Sequence, residues 1–98
     1  MNCKLLGATD IRLPELGLGT FAYTGGLEPL RAAVALGACL IDTAEEYGTE
    51  EVVGHAIKGM RDRVFLATKV SPLHFRRSDV LKAAERSLER LHTDYIDL

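Results

Sequence analysis

Tryptophan is missing from this chain, and cysteine occurs only 2 times in 98 residues. Two cysteines cannot build the disulfide framework of a small secreted fold. Cys3 and Cys39 lie far apart, lack metal-ligand spacing and are expected as free thiols of a reducing, cytoplasmic compartment. Cys39, inside an apolar run, should behave as a small hydrophobe. No run of apolar residues approaches the length needed to span a bilayer, and Met1-Asn2-Cys3-Lys4 lacks a charged-then-apolar secretory pattern. Neither sign of charge is in excess: 12 Lys and Arg face 14 Asp and Glu, for a net charge of −2. That balance argues against a nucleic-acid partner. The only local basic cluster, His74-Phe75-Arg76-Arg77, reads as a solvated loop rather than a phosphate site. His55, His74 and His92 share no metal-binding spacing, so no metal site is expected.

What is present is an ordinary globular composition, 47% hydrophobic and 27% charged, in a chain short enough for one domain at most. Residues 3–14 read as a hairpin: Gly7 and Asp10 supply the turn, Ile11-Arg12-Leu13 alternates at strand period, and Pro14 ends it. Leu16 to Phe21 reads as a strand whose glycines suit a crowded wall or a close ligand. It is not a dinucleotide fingerprint, because G-x-G-x-x-G is absent and no helix opens on it. Leu30, Ala33, Val34 and Gly37 recur at helical spacing, and Gly37 closes that helix. Cys39-Leu40-Ile41 is continuous in hydrophobicity, as a buried parallel strand should be.

Thr49 is expected to cap a second helix with Glu50 and Glu51 in its first turn and a buried stripe of Val52, Val53, Ala56 and Ile57. Val64 to Thr68 is a further strand. Ser78 is expected to cap the clearest helix, with Val80, Leu81, Ala84, Leu88 and Leu91 on the buried face. Lys82, Glu85, Arg86, Glu89 and Arg90 would cover the other. Tyr95-Ile96-Asp97-Leu98 begins a fourth strand. This order, a hairpin and then strict alternation of strand and helix, predicts an α/β fold with a parallel sheet. Either a (β/α)8 barrel or a doubly wound open sheet satisfies it, and both gather function at the carboxyl ends of strands.

Two of those strands end on a charge. Leu40-Ile41 runs into Asp42, with Tyr47 five residues on, and Val64 to Thr68 delivers Lys69. A phenol titrates near pH 10 unless its surroundings change, and a neighbouring ammonium favours the phenolate. A carboxylate in turn keeps that ammonium charged in a partly dry site. Asp42, Lys69 and Tyr47 thus form a coherent set for giving a proton to a reacting oxygen. Donating to a carbonyl oxygen is half of a reduction, and the hydride half needs a cofactor, because no side chain supplies it. Singly, each residue has a plainer role, Asp42 in a turn, Tyr47 packed with a wet hydroxyl, Lys69 on the surface. Jointly, their equivalent strand-end positions favour chemistry.

Leu16-Gly17-Leu18-Gly19-Thr20, Leu40-Ile41-Asp42-Thr43-Ala44 with Tyr47-Gly48, Glu50 through Val53-Gly54 and Ala67-Thr68-Lys69-Val70-Ser71 occur in order. They are followed by Ser87-Leu88-Glu89-Arg90-Leu91 and Asp94-Tyr95-Ile96-Asp97-Leu98. In these motifs the chain resembles the N-terminal portion of an aldo-keto reductase. The resemblance implies a TIM-type (β/α)8 barrel, of which this chain would supply about three and a half β/α units (residues 15–98) behind a hairpin (1–14) that plugs the barrel bottom. It implies that Asp42, Tyr47 and Lys69 are three of four catalytic residues, with Tyr47 as proton donor to a small carbonyl substrate. It also implies that Gly19, Thr20 and Asp42 lie beside the nicotinamide of NADPH, with NADH as the alternative. The fourth catalytic residue of the family, a histidine, would fall just past Leu98; His74 and His92 are not substitutes. Ala38 and Cys39 depart from the aromatic and arginine common in relatives, and the loop after Phe21 is short.

Two readings of function follow. One is an NADPH-dependent carbonyl reductase of which these residues are less than half. The other is a non-catalytic, barrel-derived binding or assembly subunit. A chain of this length would leave sheet edges open to the rest of a barrel or to other copies, so it is expected to be inactive and association-prone by itself.

Overall fold

Alternation along the strands decides which residues meet. The computed structural model describes residues 1–98. It opens with an antiparallel hairpin of β1 (Cys3–Leu5) and β2 (Arg12–Pro14), pairing Cys3 with Pro14 and Leu5 with Arg12. Three parallel strands follow, β3 (Leu18–Gly19), β4 (Leu40–Asp42) and β5 (Phe65–Ala67), in the spatial order β3-β4-β5. Between and after them run α1 (Leu27–Ala35), α2 (Glu50–Ala56) and α3 (Arg77–Leu91). The expected strand–helix alternation is therefore present. The β3 pairing is shorter than the sequence suggests, although Thr20 N–H still donates to Asp42 O at 3.1 Å. Residues 95–98 are not a regular strand. They nonetheless lie along β5, with Leu98 N–H donating to Leu66 O and Thr68 N–H to Leu98 O.

Ile41 pairs with Leu66 and Leu18 with Ile41, so these three share one face of the sheet, and the helices cover it. Ile41, Leu66 and Leu91 are fully buried there with Leu30, Val34, Val53 and Ile57. Each such side chain contributes about 1.5–3 kcal/mol by leaving water. Gly54 sets the approach of α2 to α3, since a Cβ there would stand 2.6 Å from Arg90 O. Only glycine fits.

Three expectations about the helices need correcting. On α3, the buried positions are Ala83, Ser87 and Leu91, while Leu81 is 61% exposed. The Ala83–Ser87–Leu91 row turns inward, and the backbone of Arg90 and Leu91 at the end of that row lies against Gly54 of α2. Ser78 does not cap α3, which begins at Arg77 with Arg76 as its N-cap and no side-chain cap. Thr49 is the N-cap residue of α2 by position, but its hydroxyl bonds Thr20 and Thr43 instead of a helix N–H.

Candidate active site

Register brings the site together. Gly19 pairs with Asp42 and Asp42 with Ala67, so these three form one row at the carboxyl ends of the strands. Lys69 is two residues beyond Ala67, which returns its side chain to the Asp42 face, one step nearer the rim. There the ammonium donates to both Asp42 oxygens at 2.7 Å and to Thr43 O at 3.0 Å. The pair is half-exposed, as it would be at the open mouth of a sheet.

Tyr47 reaches the same mouth by a different route. After β4, Ala44 is extended and Glu45–Tyr47 forms one turn of 3-10 helix, ended by Gly48 at φ 68°. That left-handed conformation suits glycine and turns the chain into α2. The Lys69 ammonium lies 4.9 Å from the centre of the Tyr47 ring. Phe21, 77% exposed, meets Tyr47 edge-on with ring centres 5.3 Å apart. Partial burial pushes the Lys69 pKa down, but hydrogen bonding to Asp42 and interaction with Tyr47 outweigh it, so the pKa stands above the ordinary 10.5. Asp42, Tyr47, Lys69 and Phe21 are thus neighbours, as the strand ends suggested.

The Thr20 side chain lies on the other face. It follows Gly19 by one residue and so falls on the opposite, helix-covered face, fully buried. Its hydroxyl donates to Asp42 O at 2.9 Å and shares a hydrogen bond with Thr49, which reaches on to Thr43. Thr20 therefore braces the Asp42 backbone from behind, whereas Gly19 faces the mouth with nothing within 4 Å of where a Cβ would stand.

Several further polar side chains brace the elements around the site. Glu50 is 1% exposed, accepts from Thr68 Oγ1 at 2.8 Å and pairs with Arg90 at 2.8 Å. This anchors the residue before Lys69 to both α2 and α3. It also corrects the placement of Arg90 on the solvent face. The signal was available, because positions 50, 53, 54 and 57 recur at helical spacing. Arg61 donates to Val64 O, Thr93 Oγ1, Tyr95 O and Asp97, and thereby holds the last residues against β5. His74, expected in a solvated loop, is only about one-third exposed, and its Nδ1 stands 2.8 Å from Glu45 Oε1. Arg76 and Arg77 of the same cluster are exposed. No group of three or more His, Cys, Asp or Glu is arranged to hold a metal ion, and no helix is long and apolar enough to cross a membrane.

A sheet of parallel strands with an acid and an amine joined at its carboxyl edge defines a class, and comparison with known proteins names it. Residues 15–98 match the aldo/keto reductase family, and the chain belongs to it. It is 45% identical to methylglyoxal reductase YeaE of Escherichia coli, over 91% of this chain and 35% of that protein. It is 42% identical to aldo-keto reductase YhdN of Bacillus subtilis, over 100% of this chain and 37% of that one. The solved structure of a thermostable aldo-keto reductase with the inhibitor epalrestat has a TM-score of 0.91 at 42% identity, covering 98% of this chain and 40% of that chain. An aldo/keto reductase of Klebsiella pneumoniae in complex with NADP and acetate has a TM-score of 0.79 at 46% identity, over 88% of this chain and 34% of that chain. The fold is thus the N-terminal part of a TIM-type barrel, and the chain spans between 34% and 40% of the length of these four proteins.

Proposed function

We propose that the complete gene product is an NADPH-dependent reductase of small aldehydes or ketones, with Asp42, Tyr47 and Lys69 as its proton-handling residues. The observation that carries this is the Lys69 ammonium, held on both oxygens of Asp42 at 2.7 Å with the Tyr47 ring beside it. The names of relatives support the substrate class, since two of them are methylglyoxal reductases and another is a glyoxal reductase. The solved Klebsiella pneumoniae enzymes, in complex with NADP and with NADPH, support the cofactor.

When bound, the reduced nicotinamide supplies hydride to the carbonyl carbon. The residues present suit one face of such a ring, because bare backbone at Gly19 lies in the same row as Asp42. Tyr47 gives its hydroxyl proton to the carbonyl oxygen, which completes the alcohol. Lys69 then faces the negative charge left on the phenol oxygen and stabilises it. Asp42 keeps that ammonium charged and aimed. Thr20 contributes from the far face by fixing the Asp42 carbonyl. A non-catalytic binding or assembly subunit would have no need of a charged pair at the mouth, and the retained Asp42–Lys69 pair favours the enzyme.

The test is to follow oxidation of NADPH by the complete gene product with methylglyoxal and other small aldehydes and ketones. Turnover is expected, and Asp42→Asn should remove most of it. Absence of nicotinamide-dependent turnover across these substrates, or full turnover by Asp42→Asn, contradicts the reading.

A further inference from the structure

Two carboxylates next to Tyr47 are not used by the chemistry above. Glu45 and Glu46 open the 3-10 turn whose last residue is Tyr47. A single turn of this kind has poor hydrogen-bond geometry and little stability of its own, and this one has no side-chain cap at its N-terminus. Its position must come from contacts elsewhere. Most of those contacts run to one segment, the stretch that leaves β5 through Lys69. Glu45 N–H donates to Lys69 O at 2.9 Å. Ser71 N–H donates to Glu45 Oε2 at 2.8 Å, and Ser71 Oγ to Glu46 Oε1 at 2.6 Å. His74 Nδ1 sits 2.8 Å from Glu45 Oε1, and Arg86 of α3 approaches the same oxygen at 3.8 Å.

We propose that Glu45 is a positioning residue for the acid–base site, holding the turn that carries Tyr47 in fixed relation to the strand end that carries Lys69. The proposal rests on the catalytic reading of Tyr47 and extends it to a residue that does not touch substrate. The Glu45 side chain is only 11% exposed, a place that a carboxylate occupies at a cost unless donors meet it. Ser71 N–H donates to it, and the His74 ring and the Arg86 guanidinium face the same carboxylate at 2.8 and 3.8 Å. Burial pushes the Glu45 pKa up, yet the Ser71 N–H and the His74 charge outweigh it, leaving the pKa below 4.5 and the group ionised. Charge-assisted bonds of this sort are about twice as strong as neutral ones. Without them the turn is tied to the facing segment by the Glu45 N–H to Lys69 O bond and the Glu46–Ser71 bond. A displacement of about 1 Å at a reacting group can reduce rate by about a hundredfold.

The test reads Tyr47 directly, so that failure of this proposal is distinct from failure of the catalytic reading. The complete gene product is labelled at the tyrosine ζ carbon, and the Tyr47 signal is assigned with Tyr47→Phe. The Tyr47 chemical shift at neutral pH is recorded with and without Lys69→Met, first in the parent and then in Glu45→Ala. In the parent, removing Lys69 is expected to displace the Tyr47 signal, because the ammonium lies 4.9 Å from the ring centre. In Glu45→Ala that displacement is expected to shrink to about half or less, as a coupled pair does when its shared link is cut. Glu45→Gln, which retains an acceptor for Ser71 N–H, should keep most of it, and the Tyr23 and Tyr95 signals should not respond. A folded Glu45→Ala variant in which Lys69 acts on Tyr47 as strongly as in the parent overturns the proposal. If Glu45→Ala does not fold, His74→Ala and Arg86→Ala each remove one of the side chains that face the Glu45 carboxylate. A parent-sized Lys69 effect in both overturns it equally.

Discussion

Asp42 and Lys69 are joined by two 2.7 Å hydrogen bonds across the ends of neighbouring parallel strands. The pairing of Asp42 with Ala67 makes this contact obligatory, because Lys69 follows Ala67 by two residues and so lies on the same face. The first expected outcome concerns pH. Lys69 has a raised pKa, so its contribution to stability is complete below 10.5 and is lost as pH rises through its folded value. Thermal unfolding of the parent and of Lys69→Met should therefore differ near neutrality and converge well above pH 10.5. Both groups are half-exposed, so the difference should be about 1 kcal/mol or less. Glu45 behaves in the opposite sense. Its lowered pKa gives stability above pH 4.5 that is lost as pH falls through the folded value. Glu45→Gln should remove that acid-side loss, and a variant that keeps it would contradict the assignment.

Arg90→Ala should destabilise the protein far more than an exposed arginine would. It leaves Glu50, 1% exposed, with Thr68 as its remaining side-chain partner. Stranding one member of a buried pair costs about 3–5 kcal/mol. Denaturant unfolding measures this, with Arg76→Ala as the exposed comparison. Equal midpoints for the two variants would mean that the Glu50 pair is not stabilising.

The 98-residue polypeptide by itself should associate and should not reduce carbonyls. β3 has β4 as its only strand neighbour, and large apolar side chains such as Leu16, Phe21, Leu73 and Leu81 stand more than 60% exposed. An unpaired strand edge beside such residues invites pairing with other chains. Sedimentation velocity and an NADPH assay on the same preparation test this together. A monomeric and active preparation would refute it.

The sequence made the strand–helix order legible because its apolar runs and glycine stops are local signals. Asp42 and Lys69 were legible for a similar reason: each is the first charge after an apolar run. The α3 face was not legible. Leu81, Ala84 and Leu88 have good helical spacing, and which face of α3 is buried depends on how α3 packs against α2, where its Arg90–Leu91 backbone meets Gly54. Thr20 could have been placed by parity alone, since residues adjacent on a strand face opposite sides. The Glu45–Ser71–His74 clamp joins residues 26 and more positions apart. Nothing local marks it, and His74 sits in what reads as a basic loop.

The most direct measurement of the central claim is the effect of Tyr47→Phe on carbonyl reduction by the complete gene product, with cofactor binding recorded in parallel. Phenylalanine keeps the ring against Phe21 and Lys69 and deletes only the proton-bearing oxygen. The expected result is a loss of turnover of about 10²–10⁴-fold with nicotinamide affinity nearly unchanged. Turnover within a few-fold of the parent would show that the proton comes from elsewhere and would contradict the assignment of Asp42, Lys69 and Tyr47 as one acid–base unit.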